Sequence, residues 1–345
     1  MTAGLGRYFE DFRLGEEIFH ATPRTVTEAD QALTIALTGS RFALNCADPF
    51  AQQLGLKRAP LDDWLVFNIV FGKTVPDISM NAIANLGYAN CRFTEFVFPG
   101  DTLSARSTVI GLRETSAGDS GIVYVRSKGC NQHGEIVLDY VRWVLVRKRD
   151  RGAAAIEPHI PELPDAIPGT QLDLPSLNFA AYDFACAGGK QCFDDYRIGQ
   201  RMRHPSGMTV EESCHMSATR LYQNTARVHF DQHRMAESRF KRRLVYGGYV
   251  ISVARALSFD GLENACRILA VNGGRHVSPC FGGDTIYAWS EILDAVELAP
   301  HAGALRIRTV ALKDNDGADF PERGADGAYH PAVILDLDYW ALMPK

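Results

Sequence analysis

Residues Phe9-Glu10-Asp11-Phe12-Arg13-Leu14-Gly15 return as Phe193-Asp194-Asp195-Tyr196-Arg197-Ile198-Gly199, an offset of 184 residues at which every position is identical or conservatively changed. The register holds beyond this stretch. His20 meets His204, Val26 meets Val210, Glu28 meets Glu212, and Lys57-Arg58 meets Lys241-Arg242. Further on, Gly100-Asp101-Thr102-Leu103 is matched by Gly283-Asp284-Thr285-Ile286 at 183, and Leu138-Asp139 with Trp143 by Leu335-Asp336 with Trp340 at 197. The larger offset reflects an insertion around Asp314 to His330 in the second copy. The chain is therefore one unit written twice, and the places where the copies disagree point to function.

Each copy repeats one order of elements. A polar entry ends in Thr25-Val26-Thr27-Glu28 or Thr209-Val210-Glu211-Glu212, where a Thr cap and early acids signal a helix start. Helical stretches follow at 28–38 and 212–223, then an irregular loop, then a mostly apolar run at 64–71 or 249–257 that reads as a buried helix. Val-, Ile- and Tyr-rich or alternating segments at 102–112, 121–130 and 135–146, and again at 285–293, 304–312 and 332–342, read as strands. Periodicity alone supports a duplicated α+β class. The expected division is an N-terminal unit over 1–148, a linker over 149–185 and a C-terminal unit over 186–345. The linker, with prolines at 158, 161, 164, 168 and 175, is expected to cross the surface in extended form.

Composition narrows the class of function. A chain of 345 residues that is 46% hydrophobic and 22% charged is long enough for two well-filled cores. A net charge of −5 gives no electrostatic reason to expect nucleic acid or an anionic membrane. No run approaches the roughly 18 apolar residues of a membrane span, and the N-terminus lacks a signal-peptide core, so the expected location is the cytoplasm. The eight cysteines form no Cys-x-x-Cys pair, in keeping with free thiols in a reducing compartment.

The loop before the buried helix carries a resemblance. MaoC-like (hydratase 2) enoyl-CoA hydratases have Thr-Gly-Asp-x-Asn-Pro-Leu-His there, with the Asp and His catalytic. The first copy reads Thr38-Gly39-Ser40-Arg41-Phe42-Ala43-Leu44-Asn45 and the second Tyr222-Gln223-Asn224-Thr225-Ala226-Arg227-Val228-His229, so only the second keeps the His. The family also places a Gly at the start of the central helix, where a backbone N–H can meet the thioester oxygen. Val245-Tyr246-Gly247-Gly248-Tyr249 supplies it in copy two, whereas copy one has Trp64 at the position of Gly248. Over nearly its whole length the chain is similar to the mesaconyl-CoA hydratase (2-methylfumaryl-CoA hydratase, β-methylmalyl-CoA dehydratase) branch of that family. The fragments Gly39-Ser40-Arg41-Phe42-Ala43-Leu44, Val70-Phe71-Gly72-Lys73-Thr74-Val75-Pro76-Asp77 and Val137-Leu138-Asp139-Tyr140-Val141-Arg142-Trp143 are among those that carry this.

The resemblance implies a double hot-dog fold, each half a curved antiparallel sheet wrapped around a central helix, and reversible dehydration of (2R,3S)-β-methylmalyl-CoA to mesaconyl-CoA. It also implies a pseudo-dimer in which the first half lends a wall to a site in the second. His229 is the expected proton-transfer group, since imidazole exchanges protons near neutrality. Asn224 stands where the family has Asp and can orient a water but not deprotonate it. Asp231 is the alternative carboxylate, or His229 acts alone. Gly248 is expected to bind the oxyanion, with Gly247 and Tyr246 beside the substrate. Arg41 and Arg227 are candidates for a distal carboxylate, which a guanidinium fork suits, with Arg275 or His276 as substitutes. His229 and His233 have a zinc-compatible spacing but no third ligand, so neither a metal nor a cofactor beyond the substrate's CoA is expected. The expected partner is a small-molecule acyl-CoA, with self-association into a homo-oligomer left open. A hot-dog thioesterase and a non-catalytic duplicated binding protein are the alternative functions.

Overall fold

The computed structural model describes residues 6–152 and 156–345. Ten strands form one antiparallel sheet: β1 (Glu17–Thr25), β2 (Ala82–Phe93), β3 (Thr102–Glu114), β4 (Ser120–Cys130), β5 (Ile136–Arg147), β6 (Arg201–Thr209), β7 (Arg267–His276), β8 (Thr285–Ala299), β9 (Ala302–Lys313) and β10 (Val333–Pro344). Their spatial order is β1-β3-β4-β5-β2-β7-β10-β9-β8-β6. Read from either edge, this is the same sequence of equivalent strands, so the two copies are related by a pseudo-two-fold axis. The halves join where β2 pairs with β7, Tyr88 opposite Gly274 and Arg92 opposite Ala270. Four longer helices accompany the sheet: α1 (Glu28–Thr38), α2 (Asp63–Thr74), α3 (Glu212–Leu221) and α4 (Gly247–Leu257). The sheet wraps α2 and α4 in its largest core, which makes this a double hot-dog fold. No described helix is long and apolar enough to cross a membrane.

The features the copies share turn out to build this frame. The repeated heptad is a plug: Phe9 lies where a Cβ on Gly121 would stand, and Phe193 does the same over Gly303. Asp11 and Asp195 cap the turn by accepting from the N–H groups of Tyr8 and Cys192, and Gly15 and Gly199 close it at φ of +78° and +82°. His20 and His204 each hold an edge strand to its neighbour, through Ser107 Oγ and Ser290 Oγ at 2.8 Å. The Gly-Asp-Thr pairs are turns, with Asp101 and Asp284 accepting from the N–H groups of Phe98 and Phe281.

Two elements differ from expectation. The polar entries are edge strands, β1 and β6, whose outward faces are wet, so their alternation is too short to read in the sequence. The linker does more than cross the surface. Residue 153 to residue 155 lie outside the described residues, but His159 bridges to Leu112 on β3, and Ile167, Phe179 and Tyr182 are buried in a second core on the outer face of the sheet. There Trp340 Nε1 donates to Ile167 O, and the Ile167 N–H donates to Asn272 Oδ1. The sheet has apolar residues on both faces, and the linker covers the one that the helices leave bare.

The two buried helices meet at symmetry-related residues: Asn68 Nδ2 donates to Ser252 Oγ and to Gly248 O, both at 3.2 Å. Near the C-terminus of α2, Gly72 faces the loop that follows α3 so closely that a Cβ would stand 2.0 Å from Tyr222 O. A backbone atom cannot rotate away. Gly72→Ala should therefore cost about 1–3 kcal/mol by overpacking, read as a lowered urea midpoint at unchanged m-value.

Candidate active site

His229 ends a short 3₁₀ turn, Arg227–His229, in the loop between α3 and α4. Its Nδ1 lies 3.0 Å from Leu244 O. Because a carbonyl only accepts, Nδ1 carries the proton, and Nε2 is left with a bare lone pair. The ring packs edge-on against Tyr246, with centroids 5.3 Å apart. Burial pushes its pKa down to about 4, so at neutral pH it is an uncharged acceptor.

Gly247 and Gly248 form the first turn of α4, where no intrahelical acceptor exists for their N–H groups. Both must be glycine here: a Cβ on Gly247 would stand 2.4 Å from the His276 ring, and one on Gly248 would stand 1.9 Å from Asn68 Oδ1. The dipole of α4 adds positive potential at these donors. His276, on β7, is drawn down to about 4 by burial and by the nearby His229, and its Nε2 lies 3.3 Å from Tyr88 OH. Tyr88 comes from the first half, as does Asn68, so the site is built from both copies. A cleft of about 300 Å³ opens beside it, lined by Thr22, Lys73, Gln223, Asn224, Thr225 and Phe230 among others. Lys73 at its mouth has its pKa lowered to about 8 by burial and by Arg24.

The corresponding place in copy one is closed. Asn45, at the position of His229, donates to Pro60 O, the counterpart of Leu244 O, and to Leu61 O. It keeps the structural half of the histidine's bonding and loses the free nitrogen. The Trp64 side chain, at the position of Gly248, is packed into the core and is 1% exposed. The Trp64 N–H is taken by Asp62 Oδ1 at 2.8 Å. Helix, loop and cap are all present, but the helix-start N–H is engaged and the imidazole nitrogen has no counterpart.

The other expected residues fare unevenly. Asn224 is buried, and its Oδ1 accepts from the Ala226 N–H, an Asx-type turn that shapes the loop. Asp231 caps the short helix Gln232–Met235, accepting from the Arg234 N–H at 3.1 Å, and its carboxylate is engaged there rather than beside His229. The same break in the backbone separates His229 from His233, so the two are not on one helix. Arg41 is corrected: it pairs with Asp260 at 2.5 Å and lies on the Phe259 ring, beyond the C-terminus of α4 and roughly 15 Å or more from Gly248. Arg227 is half-buried on the turn before His229, and Arg275 is exposed.

Sequence reasoning passed over Arg142, Tyr88 and Asn68, which the fold brings to the same region. Two of the site's groups carried a readable signal, since Arg142 stands opposite Tyr339 at the 197 offset and His276 opposite Phe93 at 183. Those are disagreements between the copies, as His229 and Gly248 are.

Comparison with known proteins gives the family. A family model described as mesaconyl-CoA hydratase matches residues 1–324. The chain is 60% identical to a β-methylmalyl-CoA dehydratase of Chloroflexus aurantiacus, covering 99% of this chain and 97% of the relative. It is 55% identical to a mesaconyl-CoA hydratase of Cereibacter sphaeroides, with both chains covered in full. A crystal structure of a putative MaoC domain dehydratase from Chloroflexus aurantiacus superposes with a TM-score of 0.97 at 59% identity, covering 100% of this chain and 99% of the other. A conserved Mycobacterium tuberculosis protein with a double hotdog fold gives 0.77 at 25% identity, covering 98% of each. The chain belongs to the mesaconyl-CoA hydratase family.

Proposed function

We propose that the protein is a hydro-lyase that interconverts β-methylmalyl-CoA and mesaconyl-CoA, with its one active site in the second half. The observation that carries this reading is the asymmetry between the copies: a free imidazole nitrogen beside free helix N–H groups in one, and the same positions plugged by Asn45, Trp64 and Asp62 in the other. Family relatives named for this reaction support the substrate.

In the hydration direction, water attacks C3 of the enoyl thioester while His229 Nε2 takes its proton. Negative charge moves to the thioester oxygen, where the Gly248 N–H and the α4 dipole receive it. The proton is then delivered to C2. With its pKa lowered to about 4 by burial, His229 is neutral at pH 7 and so has Nε2 available to accept a proton. Asn224 holds the loop that aims His229. The cleft at Lys73 and Thr225 admits the CoA arm.

Following the enoyl-thioester absorbance with mesaconyl-CoA tests the reaction. Absorbance should fall to an equilibrium value with no free thiol released; a new thiol would instead mean thioester hydrolysis. His229→Ala should lower kcat by about 10²–10⁴. Asn45→Ala, which removes a buried hydrogen-bonding group in the plugged copy, should cost about 1–3 kcal/mol of stability and leave kcat near that of the parent. Equal losses of kcat in the two variants would overturn the single-site reading.

The pH dependence has a definite sign. His204, His229 and His276 all stand at about 4, below the ordinary value of 6.5. Between these values the unfolded chain binds more protons, so stability is full above about 6.5 and declines as pH falls towards 4. Initial rates at mesaconyl-CoA well below KM, which report kcat/KM, should stay level from neutrality to about pH 5, where an unperturbed histidine would already be charged, and fall as pH approaches 4.

A further inference from the structure

Three arginines are buried, Arg142, Arg255 and Arg267. Arg267 has Asp63 at 3.8 Å. Arg255 donates to Ala265 O, stacks on Phe42 and has its charge offset by Asp62. Like Arg267, Arg142 has Nε and Nη1 without an acceptor, but unlike Arg267 and Arg255 it has no carboxylate to offset its charge. It is 0% exposed, and among the described residues no carboxylate stands within ion-pairing distance of it. One nitrogen, Nη2, donates to Thr74 Oγ1 at 2.7 Å, while Nε and Nη1 are buried without an acceptor. A buried guanidinium with idle donors is costly, and a bound anion removes that cost.

The surroundings fit a carboxylate. The Arg142 guanidinium lies over the Phe71 ring, 4.1 Å from its centroid, and Phe71 touches Tyr246, whose hydroxyl is also buried without a partner. Tyr246 is the residue that packs against His229, so it spans the distance between the imidazole and the guanidinium. Tyr88, opposite Arg142 in the β2–β5 register, reaches His276 on the other side. Positive charge and an unpaired phenol therefore lie in one chain of packed side chains with the proton-transfer group.

We propose that Arg142, helped by the Tyr246 hydroxyl, binds the distal carboxylate of the substrate and so selects a dicarboxylic acyl-CoA over a neutral one. This rests on the hydratase reading given above and names the group that sets its specificity. The carboxylate sits on C3, the carbon that gains or loses hydroxyl, so anchoring it fixes the reacting carbon against His229. One carboxylate oxygen takes the hydrogen of Nε or of Nη1, which lie on different edges of the guanidinium, and the other takes the phenol proton. Arg142 comes from the first half, which gives that half a part in recognition although its own site is plugged.

The test compares mesaconyl-CoA with 2-methylcrotonyl-CoA, which carries methyl in place of the distal carboxylate, as substrates of the full chain and of Arg142→Gln, Arg142→Lys and Tyr246→Phe. The parent should prefer mesaconyl-CoA in kcat/KM, and Arg142→Gln should reduce that preference on the order of 10²-fold. Arg142→Lys should restore part of it, since charge returns without the fork. Tyr246→Phe removes only a hydroxyl that has no partner in the free protein, so it should fold even where Arg142→Gln does not, and should lower the preference several-fold. Arg142 and Tyr246 variants that keep the parent's full preference, or that lose both substrates in equal proportion, would overturn the assignment. A parent protein that hydrated neither thioester would instead overturn the hydratase reading on which it stands.

Discussion

The antiparallel pairing of β2 with β7 is the constraint from which the rest follows. Backbone hydrogen bonds along that seam turn two five-stranded sheets into one of ten strands and leave no inner edge for water. Once the sheets are continuous, the two buried helices lie side by side inside one curve and touch at Asn68 and Ser252. The loop of each half then faces the helix of the other. A site made from Gly248 and His229 of the second half, with Asn68, Tyr88 and Arg142 of the first, exists only because of that seam.

Duplication gives each half a matching place at the start of its helix, and the two have been resolved oppositely. In copy one the equivalent groups are engaged within the chain: Asp62 takes the Trp64 N–H, and Asn45 donates to two carbonyls. In copy two the helix N–H groups, His229 Nε2 and the Tyr246 hydroxyl stay available, as do two nitrogens of Arg142 from the first half. An unmatched buried polar group costs about 1–3 kcal/mol. The closed copy, with Trp64 and its aromatic neighbours packed tightly, is well placed to offset that cost, while the open copy keeps the groups that a charged thioester can satisfy.

This arrangement explains why agreement and disagreement between the copies sort so cleanly. The heptad plug, the His20 and His204 bridges and the Gly-Asp-Thr turns recur because both halves need the same frame. His229, Gly248, His276 and Arg142 each face a chemically different residue in the other copy. The change from Gly248 to Trp64 is the most telling, since it replaces a bare helix start with a buried aromatic side chain.

The duplicated α+β architecture, the buried helices and six of the ten strands could be read from the chain itself, because a 184-residue self-match and local hydrophobic pattern are written in one dimension. The motif loop and the helix-start glycines pointed to His229 and Gly248 for the same reason. Edge strands β1 and β6 were not legible, since strands wet on one side and bulged carry little pattern. Nor was the linker's role in covering the outer face, which depends on what the sheet leaves bare. The arginine for a carboxylate was sought in the loops near His229 in sequence, and Arg41 proved to be tied to Asp260. Arg142 lies 87 residues before His229 in the chain. Only the folding of β5 beside β2 removes it from water and leaves its donors idle, because burial and the absence of a partner are properties of three-dimensional packing.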